Sequence, residues 1–340
     1  MIRNIVLSAI FFSIYPLAHA QIAADVKLFI ERSFEFIDSN TINTQNIDSI
    51  KNWLYTNSAN SNSVDDVAPL YTEVFKRLND HHGNLQYKDK TYGWKVPLKN
   101  ANAYIKKRLT EEKSVMSMVL KGEYGYLRIP GNTDYAFKKV DSIASDIVDH
   151  INKINSPNIK GWIIDLRCNT GGNMYPMMLG LKDFIGDEVV FGGFQNAKGK
   201  PTGKWEIVSG NMLIDGIYLQ RTSHLNRSIP STVPLAILTS SYTASAGEMT
   251  AISLIGRPHT IVIGETTANY ITAVQGFKIN VNAAINLSTD YVVDRNKKVY
   301  TNSIVPDREV VGGDNFDEML KDEKINMALN ILEKKEFYDN

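Results

Sequence analysis

Cysteine is almost absent. Cys168 stands alone in 340 residues, which excludes an internal disulfide and any cysteine-built metal cluster. An excess of either charge is lacking too: lysine and arginine total 37, as do aspartate and glutamate. No global field therefore recruits nucleic acid or an anionic membrane surface. Histidine is scarce, with six in the chain. The one adjacent pair, His81–His82, has no third ligand at suitable local spacing, so no metal site is expected. After the N-terminus no apolar run is long enough to span a bilayer, and no repeat or low-complexity tract occurs.

What is present begins with an export signal. Arg3 precedes the apolar run "IVLSAIFFSIYPLA", and "AHA" at 18–20 offers a small-x-small cleavage site after Ala20. The run has 14 residues and contains Pro16, whereas a spanning helix needs roughly 20. The expectation is an exported chain, periplasmic or secreted, with residues 1–20 removed.

Residues 22–37 carry apolar side chains at helical spacing, and two further helical stretches follow, near 46–55 and across "VAPLYTEVFKRLND". They predict an N-terminal helical cap over 21–90. From 91 to 340 strand and helix patterns alternate, which indicates an α/β layered core. Its clearest strands are "GEYGYLRIPG", "GWIIDL", "PLAIL" and "TIVIGE".

Two strand ends carry candidate chemistry. "PLAIL" runs into "TSSYTASAGEMTAISLIG" (239–256), which places Ser245 at a strand-to-helix junction. Ser245 reads either as a helix cap, worth ~1 kcal/mol, or as a nucleophile whose oxyanion gains from the helix N-terminus. "IIDLRCNTGGN" ends a second buried strand in a Gly171–Gly172 pair. That pair is either an oxyanion or anion site or a tight left-handed turn. If the two strands are parallel neighbours, both sites fall at their C-terminal ends, where α/β sheets hold ligands. Cys168 in "DLRCN" reads as a small filler rather than a thiol nucleophile, since an exported reactive thiol would be open to oxidation. "LNDHHGN" (78–84) closes a helix with the histidine pair beside Asp80, which makes either imidazole a candidate base.

"GYLRIPG", "IIDLRCNTGGN", "SSYTASAGEMTAI", "TIVIGETT" and "NSIVPDREV" occur in the order and spacing of the C-terminal-processing, or tail-specific, protease family, which includes tricorn-core-like serine peptidases. The resemblance spans about 120–312, and "LNDHHGN" extends it upstream. It implies a crotonase-like ββα core, Ser245 as nucleophile, and oxyanion donors from the N–H of Ala246 and the Gly171/Gly172 turn. Members with a Ser-Lys dyad carry lysine 25 residues after the serine; that position is Tyr270 here, and Lys278 reads as a strand residue. The branch without the lysine uses a histidine from an L-x-D-x-H segment, which matches His82, with His81 as the alternative. Asp307 in "VPD" reads either as the acidic partner or as a structural turn aspartate after Pro306, with Glu248 and Glu265 as alternative acids. Roughly 35 residues separate "NLQYK" from "GEYGY", too few for the PDZ domain many relatives insert there.

The expected function is that of an exported serine endopeptidase acting on proteins or peptides, with no metal and no cofactor. An esterase and a non-proteolytic carrier of an apolar ligand are the alternatives the same core would support.

Overall fold

In the computed structural model, which describes residues 22–98 and 101–337, the front of the chain is helical as its apolar spacing predicts. The expected signal segment and its cleavage site lie outside the described residues. Helices α1 (Ala24–Asn40), α2 (Ile47–Asn57), α3 (Val64–Val67) and α4 (Tyr71–Arg77) follow in order. α1 buries Val26, Phe29, Ile30, Phe34 and Ile37, the stripe that repeats at three and four residues. The helix expected over 67–80 is instead broken after α3 by a 3₁₀ turn, Ala68–Leu70. Pro69 at its start lacks the N–H that would continue the α-helix.

Strands β1 (Asn84–Tyr87) and β2 (Lys90–Gly93) come next, then α5 (Ala103–Glu111), β3 (Met116–Leu120), β4 (Tyr124–Arg128), α6 (Val140–Asn152) and β5 (Gly161–Asp165). After these lie α7 (Met174–Gly180), α8 (Lys182–Ile185), β6 (Val189–Gln195), β7 (Pro201–Val208), β8 (Asn211–Ile214) and β9 (Ile217–Leu219). The chain ends with β10 (Leu235–Thr239), α9 (Ala246–Leu254), β11 (Thr260–Gly264), β12 (Thr272–Asn280), β13 (Ala283–Asp294), β14 (Val299–Tyr300), β15 (Arg308–Glu309) and α10 (Glu323–Lys334). Residues 94–115 hold α5 as their one helix or strand among the described residues.

Two sheets result. The six-stranded sheet runs β15-β11-β10-β5-β4-β3 and is parallel except at β3. β5 and β10 are buried at every residue, the pattern of parallel strands covered on both faces. On one face Trp162, Ile164, Leu235 and Ile237 pack with α6, α7 and α9. On the other, Ile163, Ala236 and Leu238 pack with Ile325, Leu329 and Leu332 of α10. The nine-stranded sheet is built around β13, which pairs with β1, β6, β12 and β14.

The cap is not separate from this second sheet. The β1–β2 hairpin pairs with β13 from Asn84↔Asn286 to Tyr87↔Ala283, so the expected boundary at residue 90 falls inside a hairpin. The helices pack on Ile279, Ile285 and Leu287 of the same sheet. This pairing carries the segment 78–82 to the core.

Candidate active site

β5 and β10 are parallel neighbours, with Leu235↔Trp162 through Leu238↔Asp165 in register. Their C-terminal ends therefore open side by side, and the Gly-Gly turn meets the serine junction there. A Cβ on Gly171 would lie 2.8 Å from Ser245 Cβ and 3.0 Å from Ala244 O. Gly171 and Gly172 have φ of +103° and +115°, which only glycine adopts without strain. Asn169, fully buried, ties the turn down. Its Oδ1 accepts Gly171 N–H at 3.0 Å and its backbone O accepts Ala244 N–H at 3.0 Å.

Ser245 precedes α9 with φ 53° and ψ −121°. An ordinary N-cap residue sits in the extended region. Ser245 shares a capping box with Glu248, and a non-glycine residue held at positive φ on a sharp strand-to-helix turn is also the geometry that exposes a nucleophilic hydroxyl. Glu248, one turn into α9 and fully buried, holds this conformation. Its Oε2 accepts the N–H of Ser245 at 2.8 Å and of Tyr270 at 2.9 Å. Its Oε1 accepts Thr267 Oγ1 at 2.5 Å and Asn269 N–H at 3.2 Å. Burial pushes the Glu248 carboxyl up to about 7 against these four donors. Glu248 thus bonds the backbone around the serine rather than an imidazole.

Ser245, Ala246, Gly172 and His82 line one groove of about 760 Å³. Among the described residues neither the Gly172 nor the Ala246 N–H makes a hydrogen bond, whereas the Gly171 N–H is taken by Asn169. His82 Nδ1 lies 3.0 Å from Thr272 Oγ1. Burial lowers the His82 pKa to about 4, against the pull of the nearby Asp80 carboxylate, so the ring is neutral at ordinary pH. A neutral imidazole is the form that can accept a proton. His81 is placed differently: its Nε2 meets the Asn269 carbonyl, and it is not among the groove-lining residues. The Tyr270 ring stands edge-on to both imidazoles, 5.0 Å from His81 and 5.2 Å from His82 between centroids.

The remaining sequence candidates lie outside this groove. Asp307 is bound to β11, where Oδ2 accepts Val262 N–H at 2.7 Å and its own N–H donates to Val262 O at 2.9 Å. Glu265 is fully buried beneath the serine loop, bonding Ser241 N–H at 3.1 Å and Lys324 Nζ at 3.2 Å. Lys324 and Arg167 share Asp314, and Arg167 also pairs with Asp165 and Asp322. This buried network braces both strand ends, because Ser240 Oγ donates to the Arg167 carbonyl at 2.7 Å. Cys168 packs with Ile105 and Phe316, and burial pushes its thiol up to about 12. It is a filler, as its setting in the sequence suggests. Thr272 and Ser288 are absent from the sequence-derived set. Hydroxyls in a β-hairpin carry no local signal of their eventual partner.

Residues 123–310 match the model of peptidase family S41. The nisin-resistance protein of Lactococcus lactis subsp. lactis is 24% identical over 266 residues, covering 76% of each chain. Among solved structures, a lipoprotein from Streptococcus agalactiae superposes with a TM-score of 0.68 at 20% identity, covering 95% of this chain and 100% of that one. The photosystem II D1 C-terminal processing protease superposes with a TM-score of 0.56 at 12% identity, covering 85% and 94%. The core is accordingly the crotonase-like one that the sequence motifs imply, carrying N-terminal helices.

Proposed function

Because the chain belongs to peptidase family S41 and is a serine-type peptidase, we propose that it is an exported endopeptidase whose nucleophile is Ser245 and whose base is His82. The observation that carries this reading is the shared groove: a serine at positive φ, two N–H groups that make no hydrogen bond and a neutral imidazole line the same cavity.

His82 takes the Ser245 Oγ proton as the oxygen attacks the scissile carbonyl. The N–H groups of Gly172 and Ala246 receive the oxyanion, each such donor being worth roughly 3 kcal/mol of barrier. Gly171 shapes that turn rather than donating, since its own N–H is occupied. The imidazolium then protonates the leaving amine, and water reverses the sequence on the acyl-serine. His81, held at Asn269 O, is not needed for these steps.

Export is supported by the N-terminal pattern and by what two similar proteins are called, a lipoprotein and a nisin-resistance protein. Among the described residues no helix is long and apolar enough to cross a membrane. The name of the second relative makes nisin the first substrate to assay.

Ser245→Ala is expected to abolish labelling by a fluorophosphonate probe while folding is kept. Undiminished labelling of that variant would remove Ser245 from the mechanism.

A further inference from the structure

A histidine base needs something to orient it, and none of the sequence candidates does so. Asp307 is tied to Val262, Glu265 to Lys324 and Ser241, and Glu248 to backbone N–H groups. The hydrogen bonds behind His82 lead elsewhere. Nδ1 lies 3.0 Å from Thr272 Oγ1, Thr272 Oγ1 lies 2.9 Å from Ser288 Oγ, and Ser288 Oγ lies 2.7 Å from Asp80 Oδ1. Asp80 and Ser288 are each 2% exposed.

The chain has a direction. An ionised carboxylate can only accept, so the Ser288 hydroxyl donates to Asp80. Ser288 Oγ then accepts from the Thr272 hydroxyl, and Thr272 Oγ accepts from Nδ1–H of His82. Were Thr272 turned to donate to Nδ1 instead, two oxygens 2.9 Å apart would share no proton. The carboxylate therefore selects the Nδ1–H tautomer through two hydroxyls and leaves the Nε2 lone pair unprotonated. On the serine-histidine reading above, from which this inference proceeds, Nε2 is the atom that must accept the Ser245 proton.

We propose that Asp80 is the acidic partner of His82, acting through Ser288 and Thr272 as positioning residues. The surrounding chain is built for this. Asp80 Oδ1 also accepts the N–H of Gly83 at 2.8 Å and of His82 at 3.2 Å, and Oδ2 accepts Ser288 N–H at 3.0 Å. These donors hold it in place. Glycine follows the histidine pair because a Cβ at Gly83 would lie 2.5 Å from Asp80 Oδ2. The two hydroxyls meet at an irregularity of the β12–β13 hairpin: Ala273 pairs with Asp290 and Val274 with Ser288, leaving Thr289 as an extra residue. A bulge of this kind re-aims neighbouring side chains. No proton moves beyond Nδ1. The anion orients the ring and stabilises the imidazolium formed when Nε2 takes the serine proton.

The test uses the full chain and a fluorophosphonate–rhodamine probe, with labelling rate as the first readout and the ¹⁵N shifts of the His82 ring as the second. Thr272→Val keeps the shape and removes the hydroxyl, and it leaves the backbone bonds of Asp80 intact. Wild type is expected to show Nδ1–H, Nε2-unprotonated His82 at pH 7. Thr272→Val is expected to lose that tautomer and to label at least ~100-fold more slowly, the lower end of what a positioned base contributes. Thr272→Ser, which restores the hydroxyl, should return to within about threefold of wild type. An Nε2–H ring in wild type overturns the proposal. So does a Thr272→Val variant that labels at the wild-type rate, or one that slows while keeping the Nδ1–H ring. His82→Ala separates the two ideas: if it labels normally the serine-histidine reading fails, and if it does not while Thr272→Val does, only the Asp80 relay fails.

Discussion

The carboxylate of Glu248 accepts the backbone N–H of Ser245 at 2.8 Å, and with it the N–H of Tyr270 at 2.9 Å. One side chain thus joins the serine turn to the loop that enters β12, the strand that carries Thr272. The strain of a serine at φ 53° is balanced by this contact, as left-handed backbone at a working site must be by its surroundings.

Glu248→Gln is expected to loosen that junction. Each carboxylate oxygen takes two donors, and an amide turns one oxygen into a donor facing two others. A loss of about 2–4 kcal/mol is expected, from two buried groups left without acceptors. Urea denaturation at pH 8, above the Glu248 value of about 7, is the measurement. A midpoint equal to wild type would show that the contact does not hold the turn.

His82 predicts a pH dependence of stability with a definite sign. Its folded pKa, about 4, lies below the ordinary 6.5. The unfolded chain therefore binds the proton first as pH falls, and the neutral ring's contribution, full above about pH 6.5, is lost through pH 4. The size is on the order of 3 kcal/mol. Glu248 titrates with the opposite slope between 4.5 and about 7, so the total stability curve hides both. The difference in unfolding free energy between wild type and His82→Gln isolates the histidine and should rise from pH 4 to 6.5. A flat difference would mean the ring is not held neutral by burial.

Gly171→Ala tests the close approach of the two strand ends. The added methyl would sit 2.8 Å from Ser245 Cβ, on a residue whose φ is +103°. Backbone strain of about 1–3 kcal/mol is expected. The displaced serine should label about 100-fold more slowly, the cost of a shift near 1 Å. Differential scanning calorimetry and labelling together check it; wild-type labelling would put the serine farther from the turn than the geometry requires.

Charge in the groove predicts substrate preference. Asp215 and Asp290 line it together with Ser245, and no lysine or arginine among the described residues does. Asp290 is held by Thr202 at 2.5 Å and Thr289 at 2.6 Å rather than by a cation. Peptides carrying lysine or arginine near the scissile bond should be cleaved at least about tenfold faster than aspartate-bearing counterparts, a difference of about 1.4 kcal/mol. Asp215→Asn should shrink that ratio. Mass-spectrometric profiling of a peptide library reads both, and indifference to substrate charge in wild type would count against it.

The sequence by itself determined the elements and the two strand ends. Continuous apolar runs specified β5 and β10, and breakers placed Gly171 and Ser245 directly after them, because period and turn chemistry are local properties. The histidine pair was legible from its scarcity and its place at a helix end. Tertiary structure alone decided which groups meet. The candidate carboxylates of Asp307, Glu248 and Glu265 found backbone N–H groups or Lys324 instead of an imidazole. Asp80 reached Ser288, 208 positions away, only because β1 pairs with β13 and the hairpin bulges beside it. A hydrogen bond is satisfied by whichever donor and acceptor the packed backbone brings within 3 Å, and no spacing along the chain encodes that.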